Sequence, residues 1–269
     1  MGRISDMLAT STHWVEILLN DYFKNLSEQD TYHKSTSFHP SQAGACPRAL
    51  WYSLMGYKAS PTSITSQRNL SLGHAFHEML EKAFESSSFF LSKEEKVSWL
   101  EDDTLARANV AVPLSGRCDI LLLRPRDNSK YLIEIKSHKD TLTEGILLNE
   151  GITYGKWDSL KEPYISHIYQ WQLYSLMTDA LEGCIFYVNK NNTQFKVFEQ
   201  KQNITIIQEI LAKFDDIYQH VKKKELYPFQ PSEQHSWCKF KDQCQIDFKQ
   251  ETGNDGTEYF RRSIYSKNK

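Results

Sequence analysis

Apolar residues recur at helical spacing in several long stretches of the chain. From Val15 to Leu26 they are separated by three or four positions, which predicts a helix over residues 3–28. Ser41 is a candidate N-cap for a second helix, which ends at Gly56. The same spacing predicts three further helices, over residues 68–87, 163–180 and 203–224.

Apolar and polar residues alternate in the middle of the chain, as in strands with one buried face. Between residues 95 and 136 such stretches follow in the order KVSWL, ANVAVPL, RCDILLLRP and KYLIEIK, with RDNSK as the last turn. A hairpin, CIFYVNKNNTQFKVFEQ, comes later, with Asn-Asn at its turn. The tail, residues 225–269, is predicted to be irregular. Helices on both sides of a run of strands indicate an α/β fold with a central mixed sheet flanked by helices.

Composition and charge are those of an ordinary globular protein. The chain has 269 residues, of which 40% are hydrophobic and 25% charged, and its net charge of −2 neither favours nor opposes a polyanionic partner. No stretch approaches the roughly 20 apolar residues of a membrane span, and the first residues do not resemble a signal peptide. We therefore expect a cytoplasmic protein without a membrane partner. Its five cysteines are then free or metal-bound, since disulfides are rare in that compartment.

The stretch YLIEIKSHK, residues 131–139, places charged residues in an otherwise apolar strand. Glu134 and Lys136 are two positions apart and therefore share one face of the strand. Asp119 lies in the preceding strand, and a short turn between the two strands would bring it beside Glu134. Two carboxylates and a lysine form a candidate site for Mg²⁺, which prefers carboxylate and water oxygens. The lysine would orient an attacking water or offset the charge of a phosphate.

The order of Asp119 and Glu134-Ile135-Lys136 resembles the core motif of the PD-(D/E)XK nucleases, D-x14-E-x-K on a β-hairpin. The segment GHAFHEMLE is similar to the G-x3-H element that RecB-like members carry on the helix before the sheet. The resemblance implies that His77, Asp119, Glu134 and the backbone carbonyl of Ile135 bind Mg²⁺ or Mn²⁺. It also implies that Lys136 holds the attacking water.

The helix over residues 163–180 contains HIYQWQLYSLM, which resembles the Q-x3-Y element of the same nucleases. Gln170 and Tyr174 are one helical turn apart, and His167 shares their face. The resemblance implies that Gln170 and Tyr174 contact the substrate phosphate or the water network of the active site. The alternative is a helix with a polar edge and no catalytic role.

The segment CPRALWY begins at Cys46 and resembles the N-terminal cysteine element of RecB-like nucleases that hold an iron–sulfur cluster. The other three ligands of those nucleases come from the C-terminal tail, typically as C-x2-C-x5-C. In this chain Cys238 and Cys244 match the last two positions, while His235 stands at the first. The set is compatible with a [4Fe–4S] cluster that has one histidine ligand, with a Cys3His zinc site, or with no metal.

The resemblance also implies an organisation and a function. A restriction-endonuclease-like core would cover residues 41–225, after a helical segment, 1–40, and before a tail, 226–269, that packs back on the 41–56 helix through the metal or cluster. The chain is similar to the RecB-like exonucleases of CRISPR adaptation and of phages, in bacterial, archaeal or phage-infected cells. The implied enzyme is a metal-dependent deoxyribonuclease that acts on single-stranded DNA or DNA ends in recombination, repair or phage DNA processing.

Three other functions are compatible with the same residues. A structure-specific endonuclease would process flaps or prespacers. A non-cutting subunit of a recombination or CRISPR-type complex would bind DNA and a protein partner, and a zinc-stapled structural protein would need zinc but no magnesium. For DNA binding, the candidate residues for stacking on unpaired bases are Trp51, Tyr52, Trp157 and Trp171.

Overall fold

The computed structural model describes residues 14–29, 35–99, 112–141, 146–149, 152–231 and 238–260. Within these ranges seven strands form one mixed sheet, and helices pack on it. The predicted class, an α/β fold with a central mixed sheet flanked by helices, is confirmed. None of the helices in the described ranges is long and apolar enough to cross a membrane.

Side-chain caps and glycine mark where several helices begin and end. The Ser63 hydroxyl accepts the Ser66 N–H at the start of the longest helix, and Asn203 caps another helix in the same way. Gly56 has a φ of 83° and ends the helix before it, a conformation that costs glycine little. The helices are α1 (Trp14–Gln29), α2 (Pro47–Met55), α3 (Ile64–Glu85), α4 (Ile165–Thr178), α5 (Ile204–Lys223), α6 (Lys241–Thr252) and α7 (Thr257–Phe260).

The sheet is built around one central strand. The strands are β1 (Phe90–Trp99), β2 (Leu114–Leu123), β3 (Lys130–Asp140), β4 (Ile146–Asn149), β5 (Ile152–Gly155), β6 (Glu182–Asn189) and β7 (Phe195–Lys201). Strand β3 is antiparallel to β2 and parallel to β5 and β6, while β1, β4 and β7 are added antiparallel to β2, β5 and β6. Because β3 lies inside the sheet, its central residues, 132–135, are buried on both faces.

The two faces of β3 pack against different helices. On one face Leu80 of α3 packs with Ile133 and Ile135. On the other face Trp171 of α4 packs in the cluster that contains Leu132, and its indole N–H donates to the Leu132 carbonyl at 3.2 Å. Burial of such side chains, at about 25 cal/mol per Å² of apolar surface, fixes both helices against the same strand.

Two predicted elements differ from the structure. Ser41 lies in a 3₁₀ turn, Pro40–Gln42, and α2 begins only at Pro47, because proline favours the first helical position. The tail is not irregular, since it contains α6 and α7. Helix α6 is polar and buries only Cys244 and Phe248, so its sequence lacks the apolar periodicity that predicts a helix.

Candidate active site

A gap in the pairing of β3 creates the place where the charged residues meet. Strand β2 pairs with β3 from Leu123↔Lys130 to Ile120↔Ile133, and β5 pairs with the same edge of β3 only from His138 onward. Residues 134–137 lie between these two ladders. A carboxylate oxygen of Asp119 accepts the backbone N–H of Ile135 at 2.7 Å, so the side chain takes the place of a strand partner.

Glu134, Lys136 and Gln170 form a closed hydrogen-bonded triangle at this gap. The ammonium of Lys136 donates to Oε1 of Glu134 at 2.7 Å and to Oε1 of Gln170 at 2.8 Å. The amide of Gln170 donates to Oε1 of Glu134 at 2.7 Å. Glu134 and Lys136 share a face of β3, as predicted from their spacing, and that face is the one that α4 covers.

His77 approaches the same gap from α3. Its Nδ1 lies 3.7 Å from a carboxylate oxygen of Asp119, an ion-pair distance that is too long for a hydrogen bond. Burial alone would lower the pKa of His77, but the negative charge of Asp119 outweighs it and raises that pKa. His74, three positions earlier on the same helix, is exposed. The structure therefore brings His77, Asp119, Glu134, Lys136 and Gln170 together.

Of the charged residues at the gap, Glu134 is the most deeply buried. Its side chain is 1% exposed, and burial together with the nearby charge of Asp119 raises its pKa to about 7. Its second oxygen, Oε2, is buried and accepts no hydrogen bond from any described residue. An unpaired buried acceptor costs free energy, and a cation bound beside it would remove that cost.

The donor set fits a hard divalent cation in its chemistry. Two carboxylates, an imidazole and the carbonyl of Ile135 are the predicted ligands, and oxygen ligands suit Mg²⁺ and Mn²⁺. In the ranges that the structure describes, no three His, Cys, Asp or Glu side chains are placed so that they could hold one ion. The unpaired Oε2 of Glu134 is the feature that favours a cation at this gap.

Tyr174 lies behind the gap. Its side chain is 4% exposed, and its hydroxyl accepts the backbone N–H of Arg117 at 3.1 Å. A Cβ on Gly116 would come within 2.8 Å of the Tyr174 ring, so the glycine makes this close approach possible. Tyr174 thus holds the segment of β2 that leads into Asp119. His167 is also buried, and its Nδ1 is 2.6 Å from the hydroxyl of Tyr187.

Glu81 is a further acidic residue that was not predicted to be near this site. It lies one helical turn after His77 and is only 8% exposed. Burial, followed by the charges of Glu94 and Asp119, raises its pKa. The spacing H-x3-E within GHAFHEMLE was the available signal, because residues four apart share a helix face.

The predicted metal or cluster ligands, which we call the clasp, are Cys46, His235, Cys238 and Cys244. The three cysteines lie on or beside α2 and α6. Cys46 immediately precedes α2, Cys244 lies in α6, and the Phe240 N–H donates to the sulfur of Cys238 at 3.4 Å. Burial raises the pKa of Cys238 to about 11 and that of Cys244 to about 12, and the charge of Cys46 adds to both shifts. The described His, Cys, Asp and Glu side chains, these thiols included, do not form a group of three that could hold one ion. His235 lies outside the described residues.

Polar contacts join α2 to α6 beside these thiols. Arg48, which is 1% exposed, donates to Glu251 at 2.8 Å and to the hydroxyl of Tyr52 at 3.2 Å. The Tyr52 hydroxyl donates in turn to Asp247 at 2.6 Å. These contacts connect residues about two hundred positions apart in sequence without any metal.

The aromatic residues considered for base stacking are not at the surface. Trp51, Tyr52, Trp157 and Trp171 are between 0% and 6% exposed. They belong to the hydrophobic core, so the prediction that they stack on unpaired bases is wrong. A tryptophan that packs on a sheet cannot offer its ring to a nucleotide.

Comparison with known proteins supports the fold. The structure is similar to the crystal structure of SSO0001, with a TM-score of 0.53 and 15% identity over 87% of this chain and 97% of that chain. It also matches an alkaline exonuclease, LHK-Exo from Laribacter hongkongensis, with a TM-score of 0.46 and 11% identity over 76% of this chain and 93% of that one. The same exonuclease in complex with dAMP gives a TM-score of 0.45, 14% identity, and coverage of 70% and 89%.

At these identities the likeness to SSO0001 shows a shared fold, and we base no conclusion on the weaker likeness to the exonuclease. No protein-family model and no curated protein matches the chain. The fold is consistent with a restriction-endonuclease-like core, in which a mixed sheet lies between helices.

Proposed function

We propose that the protein is a metal-dependent nuclease that hydrolyses DNA phosphodiester bonds. The observation that carries this proposal is the gap on the edge of β3 between its β2 and β5 ladders, where Asp119, Glu134, Lys136 and Gln170 converge while one buried oxygen of Glu134 lacks a partner among the described residues. A structural ion pair would not need a second carboxylate beside the first, because like charges in a buried place destabilise the fold. The arrangement suits a cationic ligand that both acids share.

Each residue at the gap has a role in this proposal. Asp119 and Glu134, with His77 and the Ile135 carbonyl, would hold Mg²⁺ or Mn²⁺. The ion, when bound, supplies charge stabilisation for the phosphate and acidifies a water. Lys136 would hold the attacking water or offset phosphate charge, since its ammonium has three donors and two are accounted for by Glu134 and Gln170.

Gln170 and Tyr174 act as positioning residues in this proposal. Gln170 donates to Glu134 and accepts from Lys136, so it fixes the distance between the acid and the ammonium. Tyr174 fixes β2 at Arg117, two positions before Asp119. Both act through protein groups, and a buried hydroxyl such as that of Tyr174 does not reach a substrate phosphate.

Hydrolysis is tested with labelled oligonucleotides and the purified full chain. We expect Mg²⁺- or Mn²⁺-dependent products from single-stranded DNA or DNA ends, and none with EDTA. A circular single-stranded substrate separates the two modes of cleavage, because an exonuclease leaves it intact and a structure-specific endonuclease does not require an end. Binding without any product, with either ion and with DNA or RNA, would instead identify a non-cutting nucleic-acid-binding subunit.

We further propose that Cys46, Cys238 and Cys244, with His235, hold an iron–sulfur cluster or a zinc ion. The positions of Cys46 at the start of α2 and Cys244 in α6, two helices that Arg48 and Glu251 join, support this clasp, as does the backbone N–H that donates to the sulfur of Cys238. Metal and sulfide analysis of protein purified without oxygen distinguishes the two groups. Protein that contains neither iron nor zinc, although the cells were supplied with both metals, would contradict the proposed metal site.

A further inference from the structure

Lys190 lies beside the turn of α3 that precedes His77. It follows β6 directly, and its ammonium donates to the backbone carbonyl of Asn69 at 2.7 Å. A Cβ on Gly73 would lie 3.5 Å from this ammonium and 3.0 Å from the hydroxyl of Ser137 on β3. Asn69, Gly73 and His77 are four positions apart and share one face of α3. Lys190 therefore lies on the same stripe as His77, one helical turn away.

The positive charge of Lys190 has no acidic counterpart in the described part of the chain. Burial lowers its pKa to about 8, and among the described residues the charged group that contributes is another cation, Lys139, which follows His138, the strand partner of Asn189. Burying an ammonium without a counter-charge costs free energy. An anion that bound beside the two lysines would remove both the desolvation cost and their mutual repulsion. One of the three donors of Lys190 is directed at Asn69, so others can serve a ligand.

A comparison with Lys130 shows why the hydrogen bond to a helix carbonyl does not by itself account for the position of Lys190. Lys130, at the opposite end of β3, also donates a hydrogen bond to a helix carbonyl, that of Thr178 at 2.8 Å. Lys130 is exposed, so its charge is hydrated and needs no partner. Lys190 makes the same kind of contact, but it is half-buried, beside a second lysine, at the end of the sheet that carries the candidate active site.

We propose that Lys190, together with Lys139, binds a backbone phosphate of the nucleic-acid substrate next to the bond that is cut. This inference rests on the proposed nuclease function and adds a contact outside the catalytic residues. One helical turn rises about 5.4 Å, and nucleotides of one strand are spaced about 3.4 Å along a duplex axis. The phosphate would therefore be one or two nucleotides from the scissile bond.

The experiment measures binding of a labelled single-stranded oligonucleotide to the full chain in EDTA, at salt concentrations from 50 to 200 mM. We expect Lys190→Met to weaken binding about tenfold at the lowest salt. We also expect the slope of log K against log salt to become about 0.7 less negative, as for the loss of one phosphate contact on a single strand. Lys190→Arg should keep the slope, and Lys130→Met is the matched control with unchanged binding. If Lys190→Met does not fold, Lys139→Met should show the same change in slope.

Wild-type binding and slope in a folded Lys190→Met protein would overturn the inference, and so would an equal loss in Lys130→Met. These outcomes leave the proposed nuclease function intact, because cleavage by the wild-type protein is measured separately. Cleavage that is absent while the slope changes as expected rejects hydrolysis and keeps the phosphate site. A wild-type chain that neither binds nor cuts nucleic acid rejects both.

Discussion

The gap on the edge of β3 and the cysteine residues beside α2 and α6 differ in how their side chains are connected. At the gap, Lys136 on β3 and Gln170 on α4 each donate a short hydrogen bond directly to Glu134. At the clasp, Cys46 and Cys244 come from distant parts of the chain and are joined indirectly, by Arg48 and its partners. The first region is a compact cluster of hydrogen-bonded polar side chains, and the second joins two helices that are far apart in the sequence.

This difference predicts that changes at the gap affect activity more than stability, and that changes at the clasp do the reverse. The backbone N–H of Ile135 needs an acceptor at position 119, and an asparagine can supply it. In the proposed clasp a metal would bind the folded chain and not the unfolded one, so its binding free energy would stabilise the fold. The predictions below test this separation, beginning with the largest effect.

Asp119→Asn should abolish metal-dependent cleavage, with a loss of about a thousandfold or more, while the fold is kept. The amide oxygen still accepts from Ile135, but the charge for the cation is lost. Lys136→Ala should lose activity as well, because the ammonium beside Glu134 is removed. Initial rates with Mg²⁺ and thermal unfolding of each variant are the measurements, and Lys130→Met is the control. Normal cleavage by Asp119→Asn would reject the assigned site.

Cys238→Ser should lower the thermal midpoint by roughly 10 °C or more and remove the metal or cluster. The serine cannot replace a thiolate ligand. Cys118→Ala is the matched control, because Cys118 is buried in the sheet and outside the clasp. Metal analysis, absorbance near 400 nm and thermal unfolding are measured on all three proteins. Equal metal content and stability in Cys238→Ser would contradict a metal clasp.

Glu134→Gln should be inactive, yet more stable than the wild-type chain near pH 8 without divalent ions. Because the folded pKa of Glu134 is raised to about 7, the unfolded chain loses its proton first as the pH rises. Wild-type stability therefore falls between about pH 4.5 and 7, and the glutamine variant lacks this fall. Urea unfolding in EDTA at pH 5 and pH 8 measures the difference. An identical pH response in both proteins would show that Glu134 is not destabilised by burial.

Tyr52→Phe should lower the free energy of unfolding by about 2 kcal/mol and leave cleavage unchanged. The hydroxyl that is lost connects Arg48 with Asp247, and neither residue is near the gap. Urea unfolding and initial cleavage rates are compared with the wild-type chain. A large loss of activity at unchanged stability would mean that the two regions are coupled.

Much of the candidate site was predictable because strand and helix periods are local properties. Glu134 and Lys136 share a face since a strand repeats every two residues, and the short turn after β2 places Asp119 beside them. The spacing between Gln170 and Tyr174 puts them on one side of α4. The fold class followed from the order of such segments.

The partners of these residues were decided by tertiary packing. The resemblance implied that Tyr174 contacts the substrate phosphate or the water network of the active site, and the structure shows that close packing against Gly116 and β2 buries its hydroxyl. Glu81 was not predicted to belong to the site, although it lies on α3 close enough to Asp119 for the charge of that residue to raise its pKa. The helical tail was missed because α6 is polar and has no apolar stripe of its own, whereas its contacts with α2 join residues that are far apart in the sequence.

The sequence by itself determined which side chains share a face, because backbone geometry repeats over two or four residues whatever surrounds it. Within the described residues, only the tertiary structure decided that residues 134–137 of β3 lack a strand partner on the edge shared by β2 and β5, that an oxygen of Glu134 is left without a donor, and that Lys190 approaches α3. Those features arise where segments far apart in the chain meet, and the free energy of burial there depends on every neighbour at once.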